Sequence, residues 1–345
     1  MRRLTVPLGA ALAGLLAACG TAAGAAVPTA RPDAASAAAV PGYRTVASVR
    51  LPGSATRWDY QLLDARGGRL YLAHEGADQV VAVDLGQLRV AGTIPGIESV
   101  QGLAMAPTLG RLYASATGRN EVAVIDVATG QVVARVPAGE APDGMAYVSA
   151  LGRLFVSDSA GTGETVIDAG TNQPVARVEL GEGIGNSQYD PWTGRVLVAV
   201  AGRQELDAID PQSATVVARY PLPGCQGAHG VQVDVSGQDR AFVACEGNAR
   251  LLGLDLDTGR ITASLEVGTG PDALSLDPGL HRLYVASESG VLTVVDAAGS
   301  GPTVLTRGSA GPDAHSVAVD PDTHLVYLPL ASVGGRSVLR VLAPQ

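Results

Sequence analysis

Three of the five histidines in this 345-residue chain fall at two points of a repeated sequence unit, His229 and His315 at one and His74 at the other. The same unit places Asp59, Gln101, Asp143, Gly185, Asn186 and Asp272 at matching positions. Imidazoles and carboxylates brought together can hold a divalent metal, with His74, His229 and His315 as the nitrogen donors. The same groups can instead form a general acid–base pair. A third reading is a polar, solvated rim, because Asp and Asn at turns bond their own backbone. Arg57 and Trp58 precede Asp59 and could clamp or stack on an anionic ligand, although Trp58 could equally pack its own loop.

Cys225 and Cys245 fall in one repeat unit. Pairing its first two strands about a turn near Gly237 puts residue 229 opposite residue 245, with Cys225 just before. A disulfide is expected if the chain is exported; two soft metal ligands beside His229 are the alternative. His281 and His324 fall in turns on the other face and are expected to be solvated. Asp255, Asp257 and Gly259 look like a fragment of a calcium loop, but the remaining ligands are absent and a turn is expected. No Gly-x-Ser-x-Gly elbow, His-Glu-x-x-His, Cys-x-x-Cys-His or phosphate loop occurs in the sequence.

These residues lie far apart in sequence, so something must gather them. One element recurs as Gly68-Arg69-Leu70-Tyr71, Gly110-Arg111-Leu112-Tyr113, Gly152-Arg153-Leu154-Phe155 and Gly194-Arg195-Val196-Leu197, at a spacing of 42. It continues as Asp239-Arg240-Ala241-Phe242, His281-Arg282-Leu283-Tyr284 and His324-Leu325-Val326-Tyr327, giving seven copies. An apolar run ending in Asp84, Asp126, Asp168, Asp210, Asp255 or Asp296 follows in six units. Turn residues and a further β-branched run come next, so each unit offers four short strands. Four strands every forty-odd residues is the period of a propeller blade.

Side-chain size supports that reading. One strand per unit is slim, as in Gly102-Leu103-Ala104-Met105-Ala106, which suits a crowded axis. The next strand carries an aromatic in six of seven copies, Tyr71, Tyr113, Phe155, Phe242, Tyr284 and Tyr327, suited to the wedge between sheets. The fold expected is all-β, a seven-bladed β-propeller over residues 43–345. The last unit lacks its outer strand; Thr45-Val46-Ala47-Ser48-Val49 resembles Val132-Val133-Ala134-Arg135-Val136 and is expected to supply it. In such a ring, loops entering the inner strands meet at one axial rim. The neighbouring strand is expected to end there too, presenting His74, Ala116, Asp158, Val200, Cys245 and Ser287.

The repeat Gly-Arg-Leu-Tyr, Val-Ala-Val-Ile-Asp, Ala-Thr-Gly, Val-Val-Ala-Arg-Val within residues 110–139 resembles the YVTN-type β-propeller repeat. That resemblance implies a largely extracytoplasmic family, similar to surface-layer and lipoprotein propellers and related to lactonases and haem-d1 domains. It carries over no catalytic motif.

The N-terminus agrees with export. Arg2 and Arg3 precede an apolar run over residues 4–18, short for a membrane span, and Leu16-Ala17-Ala18-Cys19 looks like a lipobox. Residues 1–18 are read as a lipoprotein signal, Cys19 as the acylated residue and 19–42, rich in Ala, Gly, Pro, Ser and Thr, as a tether. An ordinary signal cut near Ala23 is the alternative. The net charge is −9, and all 24 basic residues are Arg. An acidic chain with dispersed Arg makes a poor polyanion binder, so no nucleic acid is expected. The expectation is a lipid-anchored monomer outside the cytoplasmic membrane, whose axial face binds an envelope protein or a small molecule without a required cofactor. A lactonase-like or metal-dependent hydrolase using rim His and Asp residues is the alternative.

Overall fold

The computed structural model describes residues 40–345; the segment 1–18 expected to be a lipoprotein signal, Cys19 expected to be acylated, and the expected tether as far as residue 39 lie outside the described residues. Seven four-stranded antiparallel sheets form, each from strands consecutive in sequence except the last. A representative blade runs Val100–Ala106, Arg111–Ala116, Glu121–Asp126 and Gln131–Pro137 from the axis outward. This is a seven-bladed β-propeller.

The last blade is assembled from both ends of the described chain. Tyr43–Arg50 pairs antiparallel with Arg336–Pro344, from Tyr43 opposite Pro344 to Arg50 opposite Val338. Tyr43 also reaches the sixth blade, where its ring meets Tyr284 edge-on at 6.0 Å and the two hydroxyls lie 3.1 Å apart. Ahead of this strand, Val40 is buried in one apolar cluster with Ala286 and Leu328, and Gln345 N–H donates to the Gly42 carbonyl.

Apolar clusters fill the wedges between blades, and the six aromatics of the second strands are all buried, with exposures of 0–4%. Each sheet alone would leave two apolar faces in water; stacking neighbours removes both. At the rim of each blade the recurring Asp acts on its own turn. Asp126 Oδ1 accepts from Thr129 N–H at 3.0 Å, and Asp84, Asp168, Asp210, Asp255 and Asp296 accept from turn amides in the same way. This series is structural, and the Asp255 segment is a turn.

The innermost strands decide where the site residues point. In blades two to six the pairing with the second strand slips by one residue, between Val100 and Leu103, Pro142 and Met145, Ile184 and Ser187, Ala228 and Val231, and Pro271 and Leu274. Each slip is a β-bulge that re-aims the side chains it contains. Residue 229 therefore does not sit opposite residue 245 as simple hairpin counting expects; Ala228 does. The bulges bring successive inner strands close together. A Cβ on Gly102 would lie 2.0 Å from the Asp143 carbonyl oxygen, and one on Gly230 would lie 2.0 Å from the Asp272 carbonyl oxygen. Glycine is required there by the neighbouring backbone rather than by a turn.

Two outcomes are expected in thermal melts. Deleting residues 43–50 should lower the single cooperative transition of the whole ring; an unchanged melting curve would count against closure by this strand. Gly230→Ala should destabilise by about 1–3 kcal/mol through backbone overpacking. Gly92→Ala, whose Cβ would meet open space, should be neutral or stabilising by up to about 1 kcal/mol.

Candidate functional site

The residues re-aimed by the bulges are Gln101, Asp143, Gly185, His229 and Asp272. All five line one axial cavity of about 320 Å³, together with Arg57, Asp59 and Glu246. Asp59 arrives by equivalent geometry in the first blade: its N–H donates to the Ala73 carbonyl while Ala73 N–H donates to the Tyr60 carbonyl. One backbone device, repeated around the ring, thus collects side chains from five blades, with Gly185 at the matching position of a sixth.

Within the cavity the charges are paired unevenly. His229 Nε2 lies 3.4 Å from Asp272 Oδ1, and the imidazole keeps a quarter of its exposure. Burial would lower the His229 pKa, but the Asp272 hydrogen bond and the charges of Asp272, Asp143 and Glu246 hold it at about 10. Burial opposes ionisation of Asp272, yet His229, His315 and Arg57 together keep its pKa below the ordinary value. Asp59 behaves in the opposite way. Burial and the charges of Asp143 and Asp272 push it up to about 8, against His315 and Arg57. Asp143 is raised to about 6, chiefly by burial and Asp272, with His229 opposing. Its Oδ1 is buried without a hydrogen-bond partner.

Arg57 does not present an anion clamp. Its guanidinium lies 3.0 Å from Glu75, 2.9 Å from Glu288, 3.7 Å from Asp59 and 3.8 Å from Asp272. Four carboxylates surround one cation, and its donors are turned toward the protein. Trp58 is 1% exposed and stacks on the His74 ring at 3.7 Å, so it packs its loop and does not face a ligand.

The three histidines hold separate partners. His315 Nδ1 is 3.0 Å from Asp313 Oδ1, and although burial would lower its pKa, Asp313 and Asp272 raise it. His74 lies away from the cavity wall, with Nε2 3.1 Å from Thr56 Oγ1 and Nδ1 3.3 Å from Gln79. Burial drives its pKa down to about 4, despite a backbone hydrogen bond at Ser54. Among the described residues no group of three or more His, Cys, Asp or Glu side chains is arranged to hold a metal ion.

The second-strand ends do not form the rim as expected. His74, Ala116, Asp158, Val200, Cys245 and Ser287 are fully buried. Four of these strand ends run into 3-10 turns, at Glu75–Ala77, Thr117–Arg119, Ala201–Arg203 and Glu246–Asn248. Asp158 is committed to Arg177, Thr165 and the Gly139 amide. Cys245 is bonded to Cys225, which fastens the loop just before His229 to the neighbouring strand. On the opposite face His324 is not simply solvated, since its Nδ1 lies 2.7 Å from buried Asp277.

Reading the repeat for its first strand alone misses Glu75, Glu246 and Glu288. They occupy one register, immediately after His74, Cys245 and Ser287, and aligning that register would have found them. Tyr60 is also missed; its hydroxyl is buried without a partner. The opposite axial end has a second cavity of about 560 Å³ with an apolar wall that includes Leu103, Met105, Met145, Tyr147 and Tyr189.

No protein-family model matches the chain, and no curated protein matches it. Among solved structures it is similar to a chain of Kuenenia stuttgartiensis hydrazine synthase, with a TM-score of 0.72 and 18% identity. The match covers 84% of this chain and 96% of that one. At such identity the likeness shows the seven-bladed fold, which by itself hosts unrelated activities.

The shifted groups give a pH signature. Asp59 releases its proton at about 8 when folded, against an ordinary value of 3.8, so stability falls as pH rises between these values. The stability His229 contributes is complete below its ordinary 6.5 and is lost as pH rises through about 10. Both act in the same direction, so the melting temperature should fall from neutral to alkaline pH. Asp59→Asn should raise it by several degrees near about pH 9, a gain that vanishes toward about pH 4. Equal melting temperatures at alkaline pH would contradict this assignment.

Proposed function

We propose that this protein is an extracytoplasmic, lipid-anchored propeller of the YVTN-repeat type that binds a small polar molecule in its axial cavity. The convergence of Asp59, Gln101, Asp143, His229 and Asp272 on one cavity of about 320 Å³ carries the reading. That size lies at the lower end for small-molecule pockets. A closed ring holds these groups before the ligand arrives, so little ordering is lost on binding. The lipobox Leu16-Ala17-Ala18-Cys19 and the disulfide between Cys225 and Cys245 support an oxidising, exported location.

Two measurements test the reading. Purified wild-type protein, incubated with a small-molecule extract of the cell envelope and desalted, should retain a stoichiometric compound detectable by mass spectrometry. Gln101→Trp, which fills the cavity without altering a charge, should retain none while melting at the wild-type temperature; retention by this variant would overturn the axial assignment. Cys19→Ser should move the protein from the membrane fraction to the soluble one, and an unchanged distribution would refute the lipid anchor.

A second reading is favoured by Asp59 at about 8 and Asp143 at about 6, which bracket neutral pH as an acid and a base must. On that reading the protein is a hydrolase of lactones or esters, and Asp59→Asn should abolish turnover of an active substrate. Absence of turnover across a lactone and ester panel would dismiss it.

A further inference from the structure

We propose that the axial cavity takes a small organic cation, recognised through an ammonium group delivered to the Asp143 carboxylate. The inference rests on the axial-cavity reading above and names its ligand class. Four acids line the cavity, Asp59, Asp143, Asp272 and Glu246, against Arg57 and His229 as cations. The two cations are already occupied: Arg57 by Glu75, Glu288, Asp59 and Asp272, and His229 by Asp272. An anionic ligand would therefore meet donors that are engaged and carboxylates that repel it.

Two of the four acids, Asp143 and Glu246, form no contact ion pair, and of the two only Asp143 is buried. It is 8% exposed, it lines the cavity, and it forms no contact ion pair with any Arg or His of the described residues. Its Oδ1 is buried with no hydrogen-bond partner. Leaving a buried carboxylate oxygen unsatisfied is costly, and the cost is recovered when a charged donor arrives. A neutral donor would fill the hydrogen bond but not compensate the excess negative charge. An ammonium group does both, and its three N–H donors suit a wall built from several carboxylates. The bulge between Pro142 and Met145 fixes Asp143 in this orientation, and Gly144 beside it leaves room for Asn186, whose Oδ1 would lie 3.0 Å from a Cβ there.

Three probes differing at one terminus separate the possibilities: ethanolamine, ethylene glycol and glycolate, titrated into wild-type protein at neutral pH and followed by NMR. Ethanolamine is expected to bind at least about tenfold more tightly than the other two, about 1.4 kcal/mol or more. Asp143→Asn should remove that preference, bringing ethanolamine down to the level of ethylene glycol. If Asp143→Asn melts at a lower temperature, Glu246→Gln, which removes a charge from a half-buried wall residue, should reduce the preference severalfold. Equal or tighter binding of glycolate or ethylene glycol overturns the inference, as does no binding of ethanolamine, an undiminished preference in Asp143→Asn melting at the wild-type temperature, or an undiminished preference in Glu246→Gln where Asp143→Asn melts lower. In any of those cases the axial-cavity reading still stands if Gln101→Trp loses the retained native compound, so the two failures are distinguishable.

Discussion

The approach of neighbouring inner strands at the axis is the constraint on which the rest of this protein depends. Seven sheets can share one axis only if their first strands are slim, and here the contact is so close that Gly102 and Gly230 face the carbonyl oxygens of Asp143 and Asp272. The residues that supply those carbonyls are themselves cavity residues. Ring packing and ligand geometry are therefore one feature: a shift that relaxed the axis would also displace the carboxylates. The same coupling explains the interlocked last blade. Pairing Tyr43–Arg50 with Arg336–Pro344 completes the seventh sheet, whose inner strand Ala318–Val319 follows His315.

The bulge is the device that converts a packed ring into a site. In a regular strand alternate residues point to opposite faces. One extra residue per inner strand interrupts that alternation and, except at Gly185, turns a polar side chain toward the axis. Repetition in five consecutive blades brings together groups that would otherwise be buried between sheets. The price is electrostatic, because carboxylates from several blades share a small volume of low polarity. The molecule answers in three ways: Arg57 sits among four acids, His229 stays protonated beside Asp272, and Asp59 keeps its proton. Asp143 is left with an oxygen that nothing in the described protein satisfies.

Much of this was legible in the residues. The seven-fold Gly-Arg-Leu-Tyr element, the second-strand aromatics and the slim first strands each have a local cause, namely a turn, a wedge and a crowded axis. The inner-strand positions Asp59, Gln101, Asp143, His229 and Asp272 were recoverable because register within a repeat is a local property. His74 was misplaced for an equally physical reason. Its strand ends at the same face, but the following 3-10 turn and the stacked Trp58 cover it. Arg57 was open to a reading as an anion clamp because nothing in sequence brings Glu75 and Glu288 to its sides. The position opposite Cys245 was displaced by one residue because a bulge leaves no mark in the spacing.

Sequence alone determined the blade, the blade count, the closing strand and the set of inner-strand residues available for chemistry, since each follows from patterns a few residues to one repeat long. Tertiary structure decided which of those residues share a cavity, which carboxylates meet a cation, and which oxygens are left unpaired. Those outcomes depend on contacts between blades separated by tens to hundreds of residues. Coulomb energies and burial vary with distance through space, and chain spacing carries no measure of that distance until the ring has closed.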